Sequence, residues 1–221
     1  MTEALPCKTA LVTGATEGIG QATAWALADA GHDVIVTDLA TASLAETIDG
    51  IAARGRRALS LPLDLREEGS ITALLEAGDQ AFGPIGVLVN NAGCTLGKAA
   101  VDVTWSEWDQ VMDVNLKGGY FLSARMAARC MAEGRPGVII SVASTHGLVV
   151  IADRSVYSIS KGGIVQMTRA LAIEWAKAGI RVNAVAPGTV LTPSRARMLA
   201  EPARRQRMLD RIPIGRFPSV E

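Results

Sequence analysis

Short apolar runs recur along the chain, separated by longer stretches in which apolar and polar residues alternate at helical spacing. The runs are KTALVT (8–13), HDVIVTD (32–38), RRALSLPLDL (56–65), IGVLVNNAG (85–93), PGVIISVAS (136–144) and RVNAVAPG (181–188). Apolar runs of this length bounded by glycine, proline or polar residues read as strands buried on both faces. The intervening stretches predict helices: from the glycines after Thr13 to Ala30 with Gly31 as its stop, over 41–54 up to Gly55, and over 67–82 before Gly83-Pro84. Further helices are predicted over 104–132 and 155–178, both apolar on more than one side. Strict alternation of strand and helix implies an α/β fold, a doubly wound parallel sheet of Rossmann type in three α/β/α layers.

Composition narrows this further. The 221 residues suit one domain spanning 1–221, and 49% hydrophobic residues with 22 glycines favour close helix-on-sheet packing. The formal net charge is zero, so no global field argues for nucleic acid or an anionic membrane surface. Cys7, Cys94 and Cys130 show no CxxC spacing and read as reduced thiols, with no metal site. MTEALPCK lacks a secretory leader's layout, and no apolar run nears the ~20 residues of a membrane span. A cytoplasmic protein is expected.

The chemistry starts at the first strand-to-helix turn, GATEGIG (14–20). A glycine turn opening a helix offers unpaired N–H groups and a positive dipole end to a phosphate. Gly14 permits the tight turn, Gly18 a close backbone approach, and Gly20 close packing of helix on strand. Thr16, Glu17 and Ile19 fill out the turn. Asp38 then ends the second strand, with Leu39 beside it, where a ribose-binding carboxylate belongs. A carboxylate there accepts bonds from the ribose 2′-OH and repels a 2′-phosphate, which favours NAD over NADP. Asp64 at the end of the third run could accept a bond from the adenine amino group, with Leu65 packing nearby, or could cap the following helix. Asn91, Ala92 and Gly93 follow the fourth run: the small residues admit a cofactor, and an asparagine can lock the neighbouring strand.

A second centre lies in STHGLVVIADRSVYSISK (144–161), where Tyr157 and Lys161 stand i and i+4. On a helix this puts both on one face. Free tyrosine titrates near ~10, so acid–base work near pH 7 asks for about 4 kcal/mol of stabilisation of the phenolate. A fixed ammonium is the direct source of it.

TGATEGIG, the strand-end Asp38, NNAG (90–93), Asn115, Ser144, Tyr157-x-x-x-Lys161 and Pro187-Gly188 occur in one order, and from Lys8 onward the chain closely resembles the short-chain dehydrogenase/reductase family. The resemblance implies strand order 3-2-1-4-5-6, with a seventh strand whose sequence the chain lacks, so that its C-terminal end reads as incomplete. It implies an oxidoreductase interconverting a secondary alcohol and a ketone by hydride transfer. Tyr157 would exchange the proton, Ser144 would bind the substrate oxygen, Lys161 would tune the tyrosine and hold the nicotinamide ribose, and Asn115 would hold a water beside the lysine. Ser144 is preferred on the family's spacing over Ser141, Thr145, Ser155 and Ser158. Pro187, Gly188, Val190 and Thr192 would close over the nicotinamide, and residues 189–212 would form a substrate lid. The resemblance also implies a homodimer or homotetramer built through helices 104–132 and 155–178. Within the family the chain is similar to 3-oxoacyl-carrier-protein reductases, with sugar or polyol dehydrogenases (glucose- or gluconate-type) as the alternative. A dinucleotide-binding regulatory protein without chemistry is the alternative of another class. His146 falls in the loop toward this site and could touch substrate, with a structural loop histidine the preferred reading; the arginine excess over 193–211 could serve a bound acidic carrier or phosphate, with a solvated helical face preferred.

Overall fold

The structure, a computed structural model, describes residues 7–220. Residues 1–6, on which the absence of a leader was read, lie outside the described residues. Among the described residues six strands form one parallel sheet: β1 Thr9–Thr13, β2 Asp33–Asp38, β3 Ala58–Pro62, β4 Ile85–Asn90, β5 Gly137–Val142 and β6 Ile180–Val185. Their order is β3-β2-β1-β4-β5-β6, as expected. The helices are α1 Gly18–Asp29, α2 Ala45–Ala52, α3 Glu68–Phe82, α4 Trp105–Met112, α5 Gly118–Ala132, α6 Ser155–Trp175, α7 Pro193–Met198 and α8 Pro202–Leu209.

Because strand side chains alternate between faces, each apolar run feeds two cores. Leu11, Ile35, Leu88 and Ile139 face α3, α5 and α6, where Leu75, Leu122, Met126 and Leu171 are buried against them. Ala10, Val12, Val34, Val36 and Val89 face the other way, toward Ala24, Ala28 and Ile51 of α1 and α2. The sheet reverses its winding between β1 and β4, and in such sheets the crevice at the carboxyl ends of the reversing strands is where ligands sit.

Several boundaries differ from the sequence reading. The third and fifth runs leave the sheet early, so Asp64 and Ser144 stand on loops just beyond β3 and β5. The stretch expected as one helix over 104–132 is interrupted by a π-helical turn at Asp113–Lys117, which carries Asn115. Gly118 follows that turn against the Leu65 carbonyl, which a Cβ would overlap. The expected helix 41–54 begins only at Ala45. α1 stops at Gly31 with φ +89, as expected of a left-handed stop. Among the described residues no helix is long and apolar enough to cross a membrane.

Candidate active site

Two adjoining clefts open at the carboxyl ends of the strands. The first is built on the β1–α1 turn. Gly14 takes φ +65 with its α-carbon so near Ala92 that a Cβ would lie 2.7 Å from the Ala92 Cα. Gly20 faces back into this turn, where a Cβ would overlap the Gly14 carbonyl oxygen and lie 2.5 Å from Asn91 Nδ2. Gly18 is the glycine pressed against another segment, with the Thr192 side chain beside it. Gly20, on α1, thus meets the residues that directly follow β1 and β4, the close approach of helix to strand expected of it.

The expected asparagine lock is present. Asn91 Nδ2 donates to the carbonyls of Thr13 (2.9 Å) and Gly14 (2.8 Å), while the Thr13 hydroxyl accepts the amides of Asn91 and Ala92, both at 3.0 Å. These bonds fix the ends of β1 and β4 to each other. Gly14, Glu17, Gly18, Ile19 and Gly20 line this cleft, as do Asp38 and Leu39, Asp64 and Leu65, Asn91 to Gly93, and Thr192. Thr16 does not line it; its hydroxyl donates to Asp38 Oδ2 at 2.6 Å, and the Leu39 amide donates to Oδ1 at 2.9 Å. Each Asp38 oxygen keeps a lone pair for a further donor. Asp64 does not cap α3, whose N-cap is Glu67. Its carboxylate takes the Arg66 guanidinium instead, at 2.6 Å, and this bond holds its pKa below the usual carboxylate range. Arg66, Gln110 and Val114 also line the cleft, and only their contacts across the fold bring them there.

Tyr157 and Lys161 define the second cleft. They stand one turn apart on α6, with Lys161 Nζ 5.8 Å from the Tyr157 ring centre. Lys161 is only 4% exposed and donates to the Val142 carbonyl at 2.7 Å. Burial pushes its pKa down to about 8. Ser144, Tyr157, Lys161, Pro187, Gly188, Val190 and Thr192 all line this cleft. Of the competing hydroxyls Thr145 lines it too, whereas Ser141 faces a small void behind the sheet and Ser155 and Ser158 face an outer groove. The Ser144 hydroxyl accepts the His146 amide at 3.1 Å, which leaves its own proton to give. Asn115 does not line either cleft. Its side chain is buried behind Gly93, accepting from the Cys94 amide (2.8 Å) and donating to the Cys94 carbonyl (2.9 Å) and the Ser160 hydroxyl (3.0 Å).

His146 does more than the sequence suggested. It lines the second cleft and meets the Tyr157 ring edge-on at 6.0 Å between centres. Its pKa is lowered, first by burial and then by the charge of Arg154. The arginines of 193–211 also divide. Arg195 and Arg204 line the cleft, against the expectation of a purely solvated face, while Arg197 pairs with Glu17 at 3.2 Å and so ties α7 to the glycine turn. The Ser194 amide donates to the same Glu17 carboxylate at 2.9 Å.

The buried ammonium predicts a stability signature. Below about pH 8 the folded chain must hold a charged Lys161 in poor solvent, and the full cost is present. As pH rises from 8 toward 10.5 the folded state releases this proton before the unfolded state does, so stability rises with pH. Relative to Lys161→Met, the wild-type unfolding free energy should climb by about 3 kcal/mol across that window. Urea unfolding of both proteins at a series of pH values reads the difference; a flat difference means the ammonium is hydrated in solution.

The glycine turn fits a dinucleotide: α1 begins without a side-chain cap, so no side chain occupies the anion position at its start. Among the described residues no cluster of histidine, cysteine, aspartate or glutamate could hold a metal ion.

Comparison with known proteins agrees with this fold. The short chain dehydrogenase family profile matches residues 8–203. The 2-dehydro-3-deoxy-D-gluconate 5-dehydrogenase of Escherichia coli strain K12 is 40% identical over 95% of the chain and 82% of its own length. A crystal structure provisionally described as a short-chain alcohol dehydrogenase, from Sinorhizobium meliloti 1021, superposes with TM-score 0.90 at 41% identity, covering 96% of this chain and 84% of that one. Another, from Agrobacterium tumefaciens, provisionally described as a 2-deoxy-D-gluconate 3-dehydrogenase with bound NADP, gives TM-score 0.88 at 37% identity over 97% and 84% of the two chains.

Proposed function

Because this chain belongs to the short-chain dehydrogenase family, and is thus an oxidoreductase of CH–OH groups, we propose that it interconverts a secondary alcohol and a ketone with Tyr157 as the acid–base residue. The observation that carries this reading is the meeting of Tyr157, Ser144 and a buried Lys161 in a cleft that adjoins an uncapped glycine turn. A nicotinamide dinucleotide, when bound, supplies or accepts the hydride. Gly14, Gly18 and Gly20 would hold its pyrophosphate at the start of α1, with Asp38 on a ribose and Pro187 and Gly188 at the nicotinamide end.

The chain's own residues manage the proton. In the reduction direction Tyr157 gives its phenolic proton to the substrate oxygen, and in oxidation it takes that proton back. Ser144 donates to the same oxygen and fixes its position. Lys161 stabilises the phenolate and, with a dinucleotide bound, would hold its nicotinamide ribose. Asn115 is a positioning residue here: its side chain, committed to Cys94 and Ser160, ties the π-helical turn to the segment after Gly93 and to α6.

NAD over NADP is the finer reading, and it rests on Asp38, whose carboxylate lines this cleft. The NADP reported for the Agrobacterium neighbour is that protein's own ligand. Asp38→Ala is expected to raise kcat/KM with NADPH relative to NADH by roughly tenfold or more, the scale of one charge-assisted contact. An unchanged ratio removes the basis of the preference.

The names of the relatives favour a sugar-acid substrate over an acyl-carrier one. A panel of both kinds, run with NAD and NADP in both directions, tests this, and no turnover on any member would favour a binding protein without chemistry. We further place residues 1–221 in one domain with a lid over about 189–212, acting in the cytoplasm. The exposed Trp105, Phe121, Ile159 and Ile173 on α4, α5 and α6 support assembly into a homodimer or homotetramer.

A further inference from the structure

The lid side of the catalytic cleft is cationic, and no acid compensates it. Arg154 enters from the loop before α6, Arg195 from α7 and Arg204 from α8; all three are half-buried and line the cleft that holds Tyr157 and Ser144. Among the described residues no aspartate or glutamate lines that cleft. Two neighbours on the same helices show how arginines outside the cleft are accommodated: Arg197 pairs with Glu17, and Arg205 lies 5.1 Å over the Phe217 ring. The three cleft arginines have no acidic partner among the described residues. Arg154 donates to the Leu96 carbonyl at 3.2 Å, and Arg195 donates to the Met198 sulfur at 3.3 Å. Both acceptors are uncharged, so neither bond neutralises the positive charge. His146 lines the same cleft, its pKa lowered first by burial and then by the charges of Arg154 and Arg195.

We infer that the substrate is a hydroxy acid or keto acid whose carboxylate is seated by Arg154, Arg195 and Arg204 while its reacting carbon lies at Tyr157. This rests on the catalytic reading above and adds the chemical class of the substrate. Guanidinium groups meet a carboxylate with paired N–H donors, which gives orientation as well as affinity. Three arginines from three separate segments can therefore fix one end of a small molecule and present its other end to the proton donor. A carboxylate fits better than a phosphate ester. Phosphate sites draw on backbone N–H groups at a helix start, and the nearest candidate here, the Ser194 amide of α7, is already spent on Glu17. Because Arg195 and Arg204 ride on α7 and α8, the anion would also hold those helices against the cleft.

The test is steady-state kinetics on matched pairs: gluconate and 3-hydroxybutyrate, each against its methyl ester, with a phosphorylated sugar as a third arm. The acids are expected to exceed their esters in kcat/KM by roughly 10- to 100-fold, the range for losing a hydrogen bond to a charged group. Arg154→Met and Arg204→Met should each raise KM for the acid by roughly tenfold or more. The ester's kcat/KM should fall far less than the acid's, with Arg204→Lys restoring part of the acid's loss. Equal efficiency for acids and esters, or an unmoved KM for the acid in both arginine variants, overturns the inference; preference for the phosphorylated sugar overturns the carboxylate in favour of phosphate. Titrating the Tyr157→Phe protein, loaded with NAD, with the same acids reads their affinity without turnover. Selective acid binding there that is lost in the arginine variants supports the carboxylate seat even if the assigned role of Tyr157 fails. Unchanged thermal melting serves as the folding control.

Discussion

Replacing Tyr157 with phenylalanine is expected to lower kcat by roughly 10²- to 10⁴-fold, the usual span for a lost general acid, while the dinucleotide binds as before. The change removes one oxygen and keeps the ring, so its edge contact with His146 and its place on α6 survive. The loss amounts to about 3–5 kcal/mol of transition-state stabilisation. The glycine turn that would carry the dinucleotide is a separate construction, held by the Thr13–Asn91 bonds and independent of the phenol. Turnover in both directions and titration with NADH separate the two effects. Activity within tenfold of wild type would remove Tyr157 from the proton step and leave Ser144 or Thr145 to be tried next. Loss of NADH binding together with turnover would instead mean that the substitution disturbs the cleft as a whole.

The second large effect is expected at Gly20. Alanine is the better helix former by about 1 kcal/mol, so on propensity alone Gly20→Ala should stabilise α1. Sterics reverse the sign. A Cβ there would overlap the carbonyl oxygen of Gly14, and that oxygen is backbone, already accepting the Asn91 side chain at 2.8 Å. Relief requires α1 to shift outward or the lock between β1 and β4 to break. Overpacking of this kind costs about 1–3 kcal/mol and sometimes more, which for a chain of this size lowers the melting temperature by roughly 2–12 °C. Dinucleotide affinity should fall with it, because the same turn carries both. Gly31→Ala is the control: its φ is +89 but nothing lies within 4 Å of an added Cβ, so only the backbone strain of about 1–2 kcal/mol applies. A Gly20→Ala protein that melts with the wild type would show that α1 slides without loss.

What could be read from the sequence were the features set by local rules. Apolar runs with glycine and proline boundaries locate every strand of the sheet, because strands buried on both faces need continuous apolar residues. The i, i+4 spacing of Tyr157 and Lys161 and the strand-end position of Asp38 are likewise local, and the structure brings each to the expected edge. What escaped depends on partners distant in the chain. Asn115 sits in a π-helical turn that the apolar periodicity of 104–132 does not mark, and its partner Cys94 lies on another element. Arg66 occupies the Asp64 carboxylate through a short local bond, which a reading of Asp64 as a ligand alone overlooks. His146 and the lid arginines show the same limit: helical spacing says which residues share a face, but not whether that face meets water or a cleft. Arg195 and Arg197 are two residues apart, and one lines the cleft while the other ties down Glu17.

The burial of Lys161 has a consequence for the history of such a chain. A lineage that kept the dinucleotide fold but abandoned hydride chemistry would find this position among the first to drift. Neutral side chains such as methionine or leucine would relieve the charge of its desolvation, and mutation supplies them readily. On the proposed proton chemistry, an ammonium kept there against the Val142 carbonyl is what selection for turnover would leave behind.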